Sequence, residues 1–366
     1  MSRPHISTAA HTQRWLEWVQ REHPGIHEQL TGSNPQSVVV GLSGGADSLA
    51  LVHAAIRAGL DVEAVVVDHQ LQVGSAHVAA RAAQQAETLG ARSRVVTVNI
   101  AETGEGPARA ARYQALGQVA EGRGVLVAHT ASDDAEGFLL ALARGSGTDS
   151  LAGMHALTTE HPAVHSGAGW VGRPLLHATR ADTERTCHHA ELDFWVDPHN
   201  ESADYLRSRI RTKLLPQMRA ILGEAVVDNL AVSSRLLRDD ATALDQLARH
   251  QLQAMEDQRG GERLASDKND QPAPLDCRTI ATELAAVRRR IYRAWLGEHV
   301  GPLTNAHMEA IDALVIAWRG QGPVSVPWPT HWPTMNPARR TTHRLVVRRQ
   351  NRQLFLDVIA RHKETQ

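Results

Sequence analysis

The chain has 366 residues, 42% of them hydrophobic, a net charge of −1 and only two cysteines. That length favours two domains, and the charge balance excludes a chain that coats nucleic acid indiscriminately while leaving room for a local basic face. Cys187 and Cys277 supply neither a disulfide framework nor a Cys-x-x-Cys site, no apolar run is long enough to span a bilayer, and Met1 to Trp15 lack the apolar core of a signal peptide, so a cytoplasmic location is expected.

Residues 1–35 read as a lead-in with one short amphipathic helix, Thr12 to Gln20, and then a Gly/Pro/Asn-rich stretch. The β-branched run Val38-Val39-Val40 breaks into Gly41-Leu42-Ser43-Gly44-Gly45-Ala46-Asp47-Ser48, after which Leu49, Val52 and Ile56 repeat at helical spacing. This is a strand, a tight glycine loop and a helix start. Adjacent glycines bring backbone N–H groups close to a ligand, Ser43 and Ser48 add hydroxyls, and the loop opens onto the positive end of a helix dipole. The combination suits a phosphate chain. No Gly-Lys-Ser/Thr closes the loop, so it is not a Walker sequence, and it is not G-x-G-x-x-G. Asp47 places a carboxylate where a Walker loop has its lysine, which implies a bridging cation, most simply Mg²⁺. A glycine turn without a ligand would need neither the serines nor the aspartate.

Further along, Asp61 to Asp68 reads as a second buried strand ending in Asp68-His69, and a helix from about Ser75 to Leu89 returns. Ser93 to Asn99 is a third strand. The next helix opens near Pro107, runs to about Glu121, and carries Arg109 and Arg112 three apart on one face, a pair suited to phosphate or carboxylate or to plain solvation. Val125 to His129 is a fourth strand, and a helix follows from about Asp133 to Ala143. Strands alternating with helices predict an α/β fold with a doubly wound, mostly parallel sheet and a ligand beyond the strand C-termini. At the fourth strand's end, Asp133 and Glu136 lie three apart at a helix start, so both carboxylates can face one pocket. An acidic first turn complementing the dipole would account for them too, but not for Arg144-Gly145-Ser146-Gly147.

Ser43-Gly44-Gly45-x-Asp47-Ser48 after a buried strand resembles the pyrophosphate (PP) loop of the N-type ATP pyrophosphatases, which split ATP to AMP and pyrophosphate in order to adenylate a substrate. Two later strings, Glu105-x-x-Ala108-Arg109-x-x-Arg112-Tyr113 and His129-x-x-x-Asp133-Asp134-x-Glu136, followed by Arg144-Gly145-x-Gly147 and Gly153-Met154, are similar to motifs of one branch, the tRNA(Ile)-lysidine synthetases. So are Arg173-Pro174-Leu175-Leu176, Thr183-Glu184, Asp197-Pro198-x-Asn200 and Tyr205-x-Arg207-x-Arg209-Ile210-Arg211. The chain departs from the usual pattern at Ser132, Asp134 and Gly137, where family members carry aspartate, glutamine and threonine. The resemblance implies a PP-loop catalytic domain over residues 36–220. A mainly helical, tRNA-binding appendage over 221–366 is expected beside it, with a linker near 257–274.

It also implies ATP and Mg²⁺ as cofactors, free L-lysine as substrate and the CAU-anticodon isoleucine tRNA as partner, with no membrane and with a homodimer left open. Ser43, Gly44, Gly45, Ala46, Asp47, Ser48, Asp68 and His69 would bind the nucleotide, Asp47 also organising the cation. Asp133 and Glu136 would hold the lysine amine, and Arg112, Arg144 and Arg207 would meet phosphate or RNA. The stretch Leu206 to Arg219 has five basic residues and no acid, a field suited to an RNA backbone or a solvated helix. Beyond Val324 the likeness fades, and tryptophans among arginines fit either base stacking or a strand pair. Another PP-loop tRNA-modifying enzyme, a thiolase, would need sulfur-carrying cysteines, and Cys187 and Cys277 have no Cys-x-x-Cys partner. An inactive RNA-binding relic is left open by the three departures.

Overall fold

The computed structural model describes residues 6–70, 74–99, 104–145, 147–196, 206–258, 272–329 and 339–361. Ser146, Asp197, Pro198, Asn200, Tyr205, Trp332 and most of the expected linker lie outside them. The chain divides into two units, Met1–Arg238 and Asp239–Gln366.

The first unit opens with α1 (Thr8–Glu22) and α2 (Pro24–Thr31). The second of these helices replaces the expected irregular stretch, because Pro24 sits where a proline starts a helix and Leu30 is buried. Next come β1 (Val38–Leu42), α3 (Ala46–Arg57), β2 (Val62–Asp68), α4 (Ser75–Thr88), β3 (Arg92–Thr97), α5 (Glu105–Ala120), β4 (Gly124–Leu126) and α6 (Ala131–Ala143). Then α7 (Thr148–Leu151), β5 (Leu157–Thr158), α8 (Pro162–His165), β6 (Trp170–Gly172) and α9 (Arg180–His189) complete the layer. After them α10 (Leu206–Arg209), a π-helical turn (Ile210–Leu214) and α11 (Leu215–Leu222) lead to α12 (Val226–Asp257), whose first half belongs to this unit.

The sheet has the order β3-β2-β1-β4-β6-β5, parallel throughout except for β5 against β6. The chain walks outward from β1 to β3 and then returns to the other side of β1, so the order reverses between β1 and β4. In such a sheet the crevice beyond the C-termini of those two strands is where ligands lie. Helices cover both faces, as a parallel sheet requires: Val38, Val40 and Leu42 join one core with α1 and α3, and Val39 joins Val65, Val125 and Tyr113 in the other. Trp15 ties α1 to the far edge, donating from Nε1 to the Ala156 carbonyl at 3.0 Å.

The second unit packs α13 (Cys277–Ala281), α14 (Ala285–Leu296) and α15 (Asn305–Ile316) with the strands β7 (Leu275–Asp276), β8 (Val324–Val326), β9 (His343–Gln350) and β10 (Gln353–Ala360); α16 (Arg339–Thr342) leads into β9. The antiparallel order is β7-β10-β9-β8. Of the two readings open for the stretch beyond Val324, strand pairing is therefore realised, and its hairpin turns through Asn351 and Arg352, both at positive φ. Asp276 caps α13, its side chain accepting from the Arg278 N–H, and α14 follows as a separate helix. No helix among the described residues is long and apolar enough to cross a membrane.

Inside this unit Arg288 grips Asp312 through Nε at 2.7 Å and Nη2 at 2.9 Å, and the Tyr292 hydroxyl donates to the same carboxylate at 2.9 Å. All three are buried. Removing the acid strands a buried guanidinium, so Asp312→Ala is expected to cost about 3–5 kcal/mol. Urea denaturation of the intact chain, followed by circular dichroism, measures it.

Candidate active site

β1 delivers the chain to Ser43, and Gly44 turns it at φ +82°, a conformation that side chains rarely adopt. A Cβ there would also stand 3.3 Å from Ala82 on α4. Gly45 is the N-cap of α3 and brings no side chain to the first-turn N–H groups, which leaves them for an anion. The two serines staple the loop: Ser43 N–H donates to Ser48 Oγ at 3.1 Å, and Ser48 donates its own proton to the Gly45 carbonyl at 2.9 Å. Ser48 is buried and serves the turn, whereas Ser43 is exposed beside it. Asp47, in the first turn of α3, accepts a short hydrogen bond from the Thr183 hydroxyl, with Arg180 Nη1 at 3.9 Å from its other oxygen. Burial raises its pKa, Thr183 works against that rise and the charge of Asp133 adds to it.

Asp133 and Glu136 come from the neighbouring strand end, at the start of α6. Thr130 is the N-cap, and Asp133 Oδ2 accepts from its N–H at 2.9 Å and its hydroxyl at 3.0 Å, a reciprocal capping box. Glu136 is fully buried. Arg211 forks onto it, Nε to Oε1 at 2.6 Å and Nη2 to Oε2 at 3.1 Å, with Asp133 Oδ1 3.4 Å from Nη2. Arg207 Nε lies 3.2 Å from Oε2, an ion pair without hydrogen-bond alignment. Burial lifts the Glu136 pKa, opposed by Arg211. Burial acts the same way on Asp133, but there His129, the Thr130 N–H, Arg211 and Arg207 outweigh it and hold the carboxyl below its ordinary value. The charges of Asp133 and Arg211 are both felt at Asp47, and the loop and the acidic pair follow the neighbouring strands β1 and β4. The π turn at Ile210–Leu214 carries Arg211 itself, and π turns concentrate at functional positions.

The remaining expected residues are placed unevenly. Asp68 ends β2 and accepts from Gln70 N–H at 2.9 Å. Both ring nitrogens of His69 are buried without a hydrogen-bond partner among the described residues, which suits a nucleotide at this rim. Burial lowers the His69 pKa and the nearby charge of Arg112 lowers it further. Arg109 instead stacks on Tyr113, 5.0 Å from the ring centre. Arg144 is exposed at the C-cap of α6, and at 1.5 Å per residue it stands about 16 Å along the axis from Asp133, so the structure does not bring it to the acidic pair.

Of the three departures from the family pattern, Asp134 and Ser132 make local contacts and nothing in the structure explains Gly137. Asp134 is buried, accepts from Met154 N–H at 2.9 Å and pairs with Arg238 at 3.0 Å, so an arginine on α12 answers the extra charge. Gly153, at φ +64°, leaves room for that carboxylate, since a Cβ would come within 2.3 Å of it. Ser132 Oγ is 2.9 Å from Thr130 Oγ1, and a Cβ on Gly137 would meet only open space.

Residues 17–218 match the family described as PP-loop domain, and residues 275–355 match the TilS substrate binding domain. A tRNA(Ile)-lysidine synthase of Nocardia farcinica is 47% identical over 332 residues, 89% of this chain and 96% of that protein. One of Salinispora tropica is 42% identical over 315 residues, covering 82% of this chain and 89% of its own, and one of Streptomyces coelicolor is 39% identical over 324, covering 85% of each. The chain belongs to the tRNA(Ile)-lysidine synthase family.

In this lysidine synthase family member a second polar cluster backs the acidic pair. Arg173 donates from Nε to His129 Nδ1 at 3.2 Å and from Nη1 to the His155 carbonyl at 2.8 Å. Because an arginine N–H can only donate, His129 Nδ1 is an acceptor and the ring proton is assigned to Nε2, 3.5 Å from the Tyr113 hydroxyl. His161 stands edge-on to Tyr113 with centroids 4.4 Å apart and accepts at Nδ1 from the Ala163 N–H at 3.2 Å. Burial, reinforced by the charge of Arg173, holds His129 down to about 3 and His161 down to about 4. Both are neutral in the fold and gain a proton on unfolding below their ordinary value of 6.5. Their contribution to stability is therefore complete above pH 6.5 and is lost as pH falls toward 4. Melting midpoints measured across that window are expected to fall with pH, and to fall less in His161→Asn, which cannot titrate.

Proposed function

We propose that this chain joins free L-lysine to C2 of the first anticodon cytidine of the CAU-anticodon isoleucine tRNA, with ATP converted to AMP and pyrophosphate. The observation that carries the reading is the shared crevice. A phosphate-binding loop and a pair of carboxylates suited to a cationic amine open side by side at the strand reversal, in a chain of the lysidine synthase family.

The chemistry divides into two displacements. The C2 carbonyl oxygen of the cytidine attacks the α-phosphorus of ATP, and the bond to pyrophosphate breaks as the loop from Ser43 to Ser48 takes up the leaving charge on its N–H groups. The lysine ε-ammonium then gives up a proton to solvent, the lone pair so freed attacks C2, and the C2–O bond breaks to release AMP. Asp133 and Glu136 place that nitrogen. His69 and Arg112 line the nucleotide rim, and Arg207 and Arg211 balance the charge of the carboxylates. Mg²⁺ would be held by the carboxylate of Asp47 and by phosphate oxygens, the hard oxygen ligands that ion takes. When bound, that ion would neutralise charge on the departing pyrophosphate.

In this structure the guanidinium of Arg211 uses both oxygens of Glu136. The substrate ammonium enters by exchanging with it. The proposed tRNA and ATP substrates support a cytoplasmic location.

Labelled lysine, Mg-ATP and an isoleucine tRNA transcript with a CAU anticodon test the reading. Label is expected on that RNA with release of AMP, and none on a transcript whose first anticodon base is changed; AMP release without label would move the chain to another base-adenylating reaction. Asp47→Ala is expected to lower the rate by about 100-fold or more. Glu136→Gln, which removes the charge that holds the ammonium, is expected to raise KM for lysine about tenfold while KM for ATP changes little.

A further inference from the structure

Asp47 is reached from a distant element of the fold. Arg180, Thr183 and Cys187 are spaced three and four apart, so they share one face of α9, and that face lies along the loop and the first turn of α3. Cys187 Sγ–H donates to the Ala46 carbonyl at 3.3 Å, and Trp195 N–H, just beyond α9, donates to the Gly44 carbonyl at 2.9 Å. Between these two anchors the Thr183 hydroxyl, wholly buried, meets Asp47 Oδ1 at 2.5 Å and the Arg180 carbonyl at 2.8 Å. It has one proton for two acceptors, and a carboxylate oxygen is the stronger of them.

We propose that Thr183 is a positioning residue for the nucleotide step: its hydroxyl fixes the plane of the Asp47 carboxylate so that Oδ2 faces the phosphates and their cation. This rests on the functional reading above. A carboxylate on Cβ can turn about its last torsion at little cost, and an Asp47 free to turn would present its oxygens to Mg-ATP in many orientations. With Oδ1 tied to α9, one orientation is selected before the nucleotide arrives, and binding does not have to order it.

Four proteins test this, each titrated with Mg-ATP by isothermal calorimetry and assayed for lysine incorporation: wild type, Thr183→Val, Thr183→Ser and Thr183→Ala. Valine keeps the shape and loses the donor, so Kd for Mg-ATP is expected to rise about tenfold, the worth of one hydrogen bond to a charged group. KM for lysine should stay within about twofold, because Glu136 and Asp133 are untouched. Serine keeps the donor and is expected to bind within about twofold of wild type. Should the valine protein not fold, the step from serine to alanine isolates the hydroxyl by itself. Nucleotide affinity unchanged in Val or Ala, or lost equally in Ser, would overturn the role of Thr183 while leaving the function intact. Failure of the wild type to bind Mg-ATP would overturn both.

Discussion

Glu136 is a carboxylate with no exposure to water, and the crevice depends on how its charge is met. Taking such a group out of solvent costs several kcal/mol unless its oxygens are paired and hydrogen-bonded. Here Arg211 supplies a two-point fork, Arg207 a second cation, and Asp133, held low by the Thr130 cap, shares the first. The helix segment from Leu206 to Leu222 is therefore bound to α6 by charge as well as by the apolar contacts of Ile210 and Leu215. The basic stretch that composition alone would assign to an RNA backbone is, at Arg207 and Arg211, turned inward onto carboxylates. The same pairing gives a site built for a cation. Whatever amine enters must offer Glu136 what the guanidinium offers, and a neutral or anionic side chain cannot.

The topology explains why these groups meet at all. β1 and β4 are neighbours in the sheet although β2 and β3 lie between them in sequence, so the loop after β1 and the helix start after β4 open side by side. α3 directs its first-turn N–H groups into the crevice while α6 spends its capping interactions on Asp133. One helix start is left for an anion and the other is organised around carboxylates. Adjacent strand ends of one sheet thus present N–H donors on one side and carboxylates on the other.

Local rules made the phosphate loop readable. A β-branched run, two glycines and a change of hydrophobic period within twenty residues leave few alternatives, and the observed β1, α3 and β2 follow those bounds closely. The spacing of Asp133 and Glu136 likewise announced a shared pocket. What local pattern could not carry were the partners. Arg211 reaches Glu136 across 75 residues, Arg238 reaches Asp134 across 104 and Thr183 reaches Asp47 across 136, and no periodicity within a helix encodes a contact made through the fold. Arg144 shows the converse. It sits in a motif beside the acidic pair in sequence, yet the length of α6 carries it away from them. The helix α2 was hidden by its composition, since Gly, Pro and His in eight residues read as a loop until Leu30 finds a core to enter.

Asp134 bears on whether the altered motif still builds a working pocket. A family glutamine at this position would be neutral, and a carboxylate buried there without a partner would disrupt the start of α6. The structure answers with Arg238 at 3.0 Å and the Met154 N–H at 2.9 Å, and with a glycine at 153 whose missing side chain leaves space for Oδ1. The charge is consequently neutralised on the side of α6 that faces α12, away from the fork on Glu136. The extra charge is thus taken up by Arg238, by the Met154 N–H and by the space left at Gly153.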